Sequence, residues 1–227
     1  MTYQFDFSAL LPYWPDFLWG ALLTLQLSAV ATVAGFVLGT LCAIGRADGS
    51  PVVRALVAAY VEAIRNTPLL VQVFIIYFGI ATLGIRVSAN HAAMIALTIN
   101  VGAYTCEIVR AGLQSIHRSQ VEAAECLGLS RPQIYWHVIV RPAIERVYPS
   151  LTSQYVLLML ASSITSQISA EELTAVANRI QSGTFRSFET YIVVGLIYIV
   201  LSFVMRGVFS AFAQAAFTRR RKLGTTL

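Results

Sequence analysis

The sequence predicts an all-α, polytopic membrane protein with five transmembrane helices, its N-terminus out and its C-terminus in. Composition is the first reason: 57% of the 227 residues are hydrophobic and only 12% are charged, against about 25% charged in soluble domains. The second is that the apolar residues gather into separate uncharged runs. About 20 such residues, rising 1.5 Å each, cross a hydrocarbon core. The third is where the cations fall. With residues 117–146 placed inside, Arg46, Arg54, Arg110, Arg118, Arg131, Arg141, Arg146 and the tail Arg219-Arg220-Arg221-Lys222 share one side. Arg86, Arg179 and Arg186 fall on the other, while Arg65 and Arg206 sit near inner helix ends. Lys and Arg are retained on the cytoplasmic side, so this asymmetry sets the orientation.

In chain order, Met1 to Pro15 is polar and aromatic and has no Lys or Arg. It lacks the basic start of a cleaved signal peptide, so the first hydrophobic segment is expected to be retained. The spans are expected at about 17–45, 66–85, 87–110, 147–169 and 190–218, all within a single domain, 1–227. Between the first two, Ser50-Pro51 reads as N-cap and first turn of a mixed helix, Val52 to Ile64, which Asn66-Thr67-Pro68 interrupts. On the outer side, Ser169 and Glu172 fit a capping box. Leu173, Val176, Ala177 and Ile180 follow at helical spacing, and Gly183 closes the segment. This amphipathic helix reads as a solvated loop helix, a lid over a pathway, or a ledge for an external partner at the outer interface.

One long polar interruption, Ser119 to Pro149, organises the chain. Ser119-Gln120-Val121-Glu122 fits a capping box, and a short helix from Gln120 to Leu127 should stop at Gly128. Ser130-Arg131-Pro132-Gln133 repeats the box, with Pro132 in the first turn, where a missing N–H does no harm. The expectation is two short helices joined by a glycine elbow. Leu127, Leu129, Ile134 and Tyr135 would be apolar anchors for a partner groove. Glu122 serves either its own cap or a direct contact to that partner.

This loop resembles the EAA motif of permease subunits of bacterial ABC importers: Glu122-Ala123-Ala124, then Gly128 four residues on, with Val138 in the later aliphatic slot. Arg141 stands where the family usually has proline, and Pro142 follows one place on. Arg65-Asn66-Thr67-Pro68-Leu69 is similar to the Arg-x-Thr-Pro-Leu stretch of the polar amino acid permeases of the histidine, glutamine and glutamate type. Ala103-Tyr104-Thr105-Cys106-Glu107-Ile108-Val109-Arg110-Ala111-Gly112 resembles the stretch before the motif in that group. The resemblance implies a type I importer permease in the bacterial cytoplasmic (inner) membrane. Its loop, 117–146, would couple to the motor through Glu122, Ala123, Ala124, Leu127, Gly128 and Leu129. It further implies a cytoplasmic ATPase partner holding ATP and Mg, a second permease subunit (the same chain or a paralogue), and an external amino-acid-binding protein. No nucleic acid is expected.

Candidates for the translocation path are polar residues within spans, which are costly in lipid and face a cavity or another helix. Gln154, Ser162, Thr165 and Ser169 fall on one helical stripe, with Ser163 beside it, and Asn66, Thr67, Gln72, Asn100 and Tyr104 are weaker candidates. Back-bonding of Ser and Thr to their own helix is the competing explanation. Relatives often carry a Lys-Asp-Thr-Ser stretch near Ala161-Ser162-Ser163; this chain lacks that Lys and Asp. Glu62 with Arg65, and Glu107 with Arg110, are i,i+3 pairs that read as an inner gate or as local pairing of snorkelling side chains.

Other function classes find little support. No nucleophile elbow or metal-protease motif occurs, and the single lysine, Lys222, lies in no phosphate-binding loop. The chain is therefore expected to be a non-catalytic subunit with no cofactor of its own. Cys42, Cys106 and Cys126 show no C-x-x-C spacing, and His91, His117 and His137 are scattered, so no metal site is expected. An ion-coupled secondary transporter would be expected to show paired repeats and mid-span acids. A structural or enzyme-anchoring membrane subunit is the other alternative.

Overall fold

The computed structural model describes residues 4–217, and those residues form helices and turns with no strand. After a short 3-10 turn (Ser8–Tyr13) come α1 (Trp14–Asp48), α2 (Pro51–Arg65), α3 (Leu69–Thr82) and α4 (Ala89–Gln114). Next are α5 (Arg118–Cys126), one turn of α6 (Arg131–Gln133), a π-helical stretch (Ile134–Val140) and α7 (Arg141–Ala161). A 3-10 stretch (Ser162–Ile168), α8 (Leu173–Thr184) and α9 (Ser187–Ala216) complete the fold. The basic tail Arg219–Lys222 lies outside the described residues.

The axis of the bundle is the crossing of α1 on α4. Gly35 and Gly39 stand one turn apart on α1. A Cβ on Gly39 would lie 2.6 Å from the Gly102 carbonyl, and one on Gly35 would lie 2.2 Å from Val101 Cγ1. Gly102 is equally tight against Leu38 and Tyr60. Lipid gives helices no hydrophobic drive to associate, so close approach of small residues supplies the packing. Gly35-x-x-x-Gly39 is a small-residue signal that the pattern reading did not use. The buried core continues through Ala31, Ala96, Leu97, Val101, Cys106 and Leu158.

Among the described residues, three helical segments are long and apolar enough to cross a membrane, those containing α1, α4 and α9. The pair α2–α3, bent by 111°, would be a fourth. The predicted run 66–85 is thus mostly α3, whose 14 residues span only about 21 Å. The predicted run 147–169 is divided between α7 and a 3-10 stretch. The first half of α7 carries Arg141, Glu145, Arg146 and the internal Pro149, so the helix begins before the apolar run does.

Several local expectations change in the structure. The helix that begins after Ser130 is long: it runs without a break through the π-helical stretch into α7. Pro142 accounts for the widened turns before it, since its ring lacks an N–H and crowds the carbonyl four residues back. Ser119 does not cap α5. His117 is the N-cap, its Nδ1 accepting the Ser119 N–H at 3.2 Å. Ser169 is no cap either: it adopts a left-handed conformation (φ 63°), and Glu172 caps α8 by accepting the Ala175 N–H at 2.9 Å.

Candidate functional site

The loop after α4 is built from local grammar. At the end of α5 the Gly128 N–H bonds to the Glu125 carbonyl (2.9 Å) and the Leu129 N–H to the Ala124 carbonyl (3.2 Å). This is the paired Schellman closure, which needs a left-handed residue at its centre. Gly128 supplies it at φ 74°, and nothing lies within 4 Å of where a Cβ would sit. Beyond the elbow, Gln133 reaches back to accept the Ser130 N–H and hydroxyl, both at 2.9 Å.

The surface this creates is uneven. Leu127 is 80% exposed and Trp136 62% exposed, while Leu129, Ala123 and Glu122 are also on the surface. Ala124 and Ile134 are buried, so Ile134 belongs to the loop's own packing and is not an external anchor. Tyr135 is half-buried, and burial raises its phenol above the usual range. Trp136, next along the chain, is the exposed aromatic on this stretch. Glu122 pairs with Arg118 at 2.9 Å, an exposed i,i+4 ion pair.

Just above the loop, two of the motif stretches meet. Glu107 receives Arg110 of its own helix (2.7 Å), Arg46 from the end of α1, and Arg65 from the end of α2 (3.9 Å). Arg65 also lies over the Tyr104 ring, 5.7 Å from its centroid. The expected Glu62–Arg65 pair does not form. Glu62 instead accepts from the Asn66 amide at 2.9 Å, and Arg65 turns to the more buried Glu107, whose side chain is 18% exposed. Gly112 lets α7 close on α4, because a Cβ there would meet Val147 Cγ1 at 2.7 Å.

The bend between α2 and α3 holds three of the polar candidates. Pro68 ends the helix, and the Gln72 amide then collects the Ile64 carbonyl (2.7 Å), the Thr67 carbonyl (3.0 Å) and the Thr67 hydroxyl (2.9 Å). Asn100 donates to the Gln72 Oε1 at 2.8 Å. Buried Gln72 and Asn100 and exposed Thr67 therefore form one polar staple that satisfies carbonyls orphaned at a helix end. The stripe expected from Gln154 to Ser169 does not persist. From Ser162 onward the chain is 3-10, and Ser162, Ser163 and Thr165 each donate to the carbonyl three residues back. Gln154 is half-buried on α7, apart from that group.

The opposite end has a cluster that pattern reading missed. Leu173, Val176, Ala177 and Ile180 of α8 are buried with Phe17 of α1 and Val194 of α9, so its apolar face meets protein. Glu172 and Glu189 are fully buried. Glu172 accepts from the Tyr198 hydroxyl (2.7 Å) and the Ala175 N–H, and burial raises its pKa despite those bonds. Glu189 accepts from the Asp6 N–H (3.0 Å) and from Arg186 (3.4 Å). Nearby, Arg179 pairs with Asp16 at 3.3 Å and the Glu171 N–H reaches Asn90 at 3.1 Å. Nothing local in the sequence separates these two acids from surface ones.

Comparison with known proteins places these features. Residues 35–218 match the family model described as binding-protein-dependent transport system inner membrane component. The glutamine transport system permease protein GlnP of Escherichia coli (strain K12) is 36% identical over 209 residues, covering 89% of this chain and 95% of that protein. The probable glutamine ABC transporter permease protein GlnM of Bacillus subtilis (strain 168) is 38% identical over 179 residues, covering 79% and 83%. A crystal structure of an amino acid ABC transporter with histidines aligns at TM-score 0.86 with 35% identity, covering 94% of this chain and all of that one. An inward-facing methionine ABC transporter, MetNI, shares the fold at TM-score 0.73 and 20% identity. A match over most of the length, together with these relatives, means that the chain belongs to the family of inner membrane components of binding-protein-dependent transport systems.

Proposed function

We propose that this chain is the permease subunit of an ATP-driven amino acid importer in the bacterial cytoplasmic membrane. It does no chemistry itself: a cytoplasmic ATPase subunit hydrolyses ATP with Mg, a second permease subunit completes the path, and an external binding protein delivers the amino acid. Glutamine is the first cargo to try, because two similar permeases carry that name. Five passes with the N-terminus out fit the sorting of charged groups to two ends. Arg46, Arg65, Glu107 and Arg110 meet at one end, and Asp6, Asp16, Arg179, Arg186 and Glu189 at the other.

The observation that carries the reading is the jointed loop itself. Its elbow at Gly128 is closed by its own hydrogen bonds, and Leu127 stands out from it almost wholly exposed. Such a knob is shaped for an ATPase groove. ATP binding to the partners would favour one arrangement of the two loops, and the helices above would follow as a population shift. The Glu107 cluster joins α1, α2 and α4 immediately above the loop and is the inner gate in this account. Gln154, Ser163, Asn100 and Thr67 remain the path candidates, Asn100 and Thr67 through the polar staple at the α2–α3 bend, and Ser162 and Thr165 shape the turn beneath α8. An ion-coupled transporter is less favoured, because the described spans hold no unpaired mid-depth acid.

Gly128→Val tests the coupling role. A β-branched residue at φ 74° is strained, while the open space around it leaves insertion and packing undisturbed. In proteoliposomes holding the full transporter, the variant should assemble normally yet lose cargo-stimulated ATPase activity. Normal assembly with normal transport would remove the loop from the mechanism.

A further inference from the structure

Arg206 breaks the apolar run of α9 between Met205 and Gly207, and among the described residues it has no ion pair or hydrogen bond. A cation in such a run is costly and calls for a counter-charge. It lines a cavity of about 270 Å³ between α7 and α9. Thr152, Ser153 and Ser210 face the same space, with Pro149 and Val156 completing its wall. The Thr152 hydroxyl donates its one proton to the Tyr148 carbonyl at 3.0 Å, so it lines the cavity without being a free donor. One guanidinium with the hydroxyls of Ser153 and Ser210 and no carboxylate is a donor set for an oxyanion, since the planar fork of Arg matches two oxygens at once.

Depth indicates which oxyanion. The rise from Ser187 to Arg206 is about 29 Å, close to the thickness of a hydrocarbon core. With Ser187 at the outer boundary beside the Glu189 cluster, the guanidinium reaches the opposite headgroup level. Phe203, Val204, Val208 and Phe212 around it are exposed apolar side chains, so this level of α9 is open to acyl chains. In the orientation of the proposed import reading, on which this inference rests, that level is the cytoplasmic leaflet, where anionic lipids lie.

We propose that the Arg206 cavity binds the phosphate of an anionic phospholipid of the inner leaflet, held by the guanidinium and the hydroxyls of Ser153 and Ser210. The same donors would accept a carboxylate, so the test separates the two sources. The full transporter, with ATPase partners and second permease subunit, is reconstituted in nanodiscs of phosphatidylcholine with or without phosphatidylglycerol. Retained phosphatidylglycerol is counted by native mass spectrometry. Arg206→Met is more apolar and inserts at least as readily; it should lose one bound phosphatidylglycerol per chain, with retention weakened about 5-fold or more. Arg206→Lys should keep most of that retention, and Ser153→Ala should weaken it less than Arg206→Met does. If Arg206→Met keeps its phosphatidylglycerol while the KM for L-glutamine rises, the oxyanion is cargo carboxylate and the lipid assignment is overturned. No change in either readout overturns it as well. A complex that falls apart in Arg206→Met and reassembles in Arg206→Lys makes the cation a subunit contact, again against the proposal. Lipid counting does not require transport, so failure of the import reading would appear separately, as wild-type protein that binds lipid but moves no amino acid.

Discussion

The two ends of the bundle treat their carboxylates in opposite ways. At one end Glu107 is surrounded by Arg46, Arg65 and Arg110, which come from three helices. At the other, Glu172 is fully buried and held by a hydroxyl and a backbone N–H, while Glu189 shares Arg186 with Asp6. The first arrangement keeps an excess of positive charge around one carboxylate shared by three helices; in the proposed reading the helices move by exchanging which guanidinium sits closest. The second is a fixed plug. Its Glu172 carboxylate caps α8 and, through the Tyr198 hydroxyl, ties α8 to α9. Beneath the exchangeable end hangs the exposed loop, and above the fixed end the termini of α1 and α9 are pinned. In that reading the first end is worked and the second is held.

Wedging the axle between the two ends should have the largest effect. Gly39→Val puts a side chain into the Gly102 carbonyl and should cost about 3 kcal/mol, read as a lower Tm of the detergent-purified chain. If the ends moved independently of the α1–α4 crossing, transport would survive it. Next comes Glu107→Gln, which leaves three guanidinium groups converging on a neutral amide. Breaking a buried pair costs about 3–5 kcal/mol; partial exposure here brings the expected loss nearer 2 kcal/mol, still larger than for any carboxylate at the other end.

Glu172 gives a pH signature of the opposite sign. Burial raises its pKa above the ordinary 4.5, so the folded protein prefers the protonated acid. That preference is fully present below pH 4.5 and fades as pH rises through the raised folded value. Mild acid should therefore firm the α8 end, and Glu172→Gln should flatten the pH dependence while costing under about 1 kcal/mol at neutral pH. A wild-type protein whose α8 amides exchange faster as pH falls toward 5, once intrinsic exchange is corrected for, would contradict this. The smallest effect belongs to Glu122→Gln on the loop. Its exposed pair with Arg118 is worth about 0.3–0.5 kcal/mol, so stability should barely change. A large loss of ATPase stimulation without loss of stability would then assign Glu122 to the partner and not to its own helix.

How far the sequence could be read depended on the range of the interaction. Gly128 and the Ser130–Gln133 reach-back were visible because each is settled within a few residues. The membrane class and the ends of α1, α4 and α9 were visible because hydropathy acts by sum. Choices between near-equal local partners were not: His117 took the cap that Ser119 was expected to make, and Arg65 left Glu62 for Glu107 once α2 and α4 were brought together. The 3-10 path of 162–168 hid in the same way, because it ends in the left-handed Ser169 ahead of a cap, Glu172, that only the packed α8 defines. The Gly35–Gly39 spacing is legible as a close-packing signal, since it too is settled within one turn. Glu172 and Glu189 were not, since nothing local distinguishes a buried acid from a surface one.

The central claim is that the exposed loop faces the cytoplasm and is gripped there by a motor subunit. Cys126, a free and exposed thiol beside Leu127, offers the most direct measurement once Cys42 and Cys106 are replaced by alanine. A membrane-impermeant maleimide should label Cys126 in inside-out vesicles, fail to label it in right-side-out vesicles, and be blocked when the ATPase subunit is bound. Labelling from the outside, or labelling unaffected by the ATPase, would contradict it.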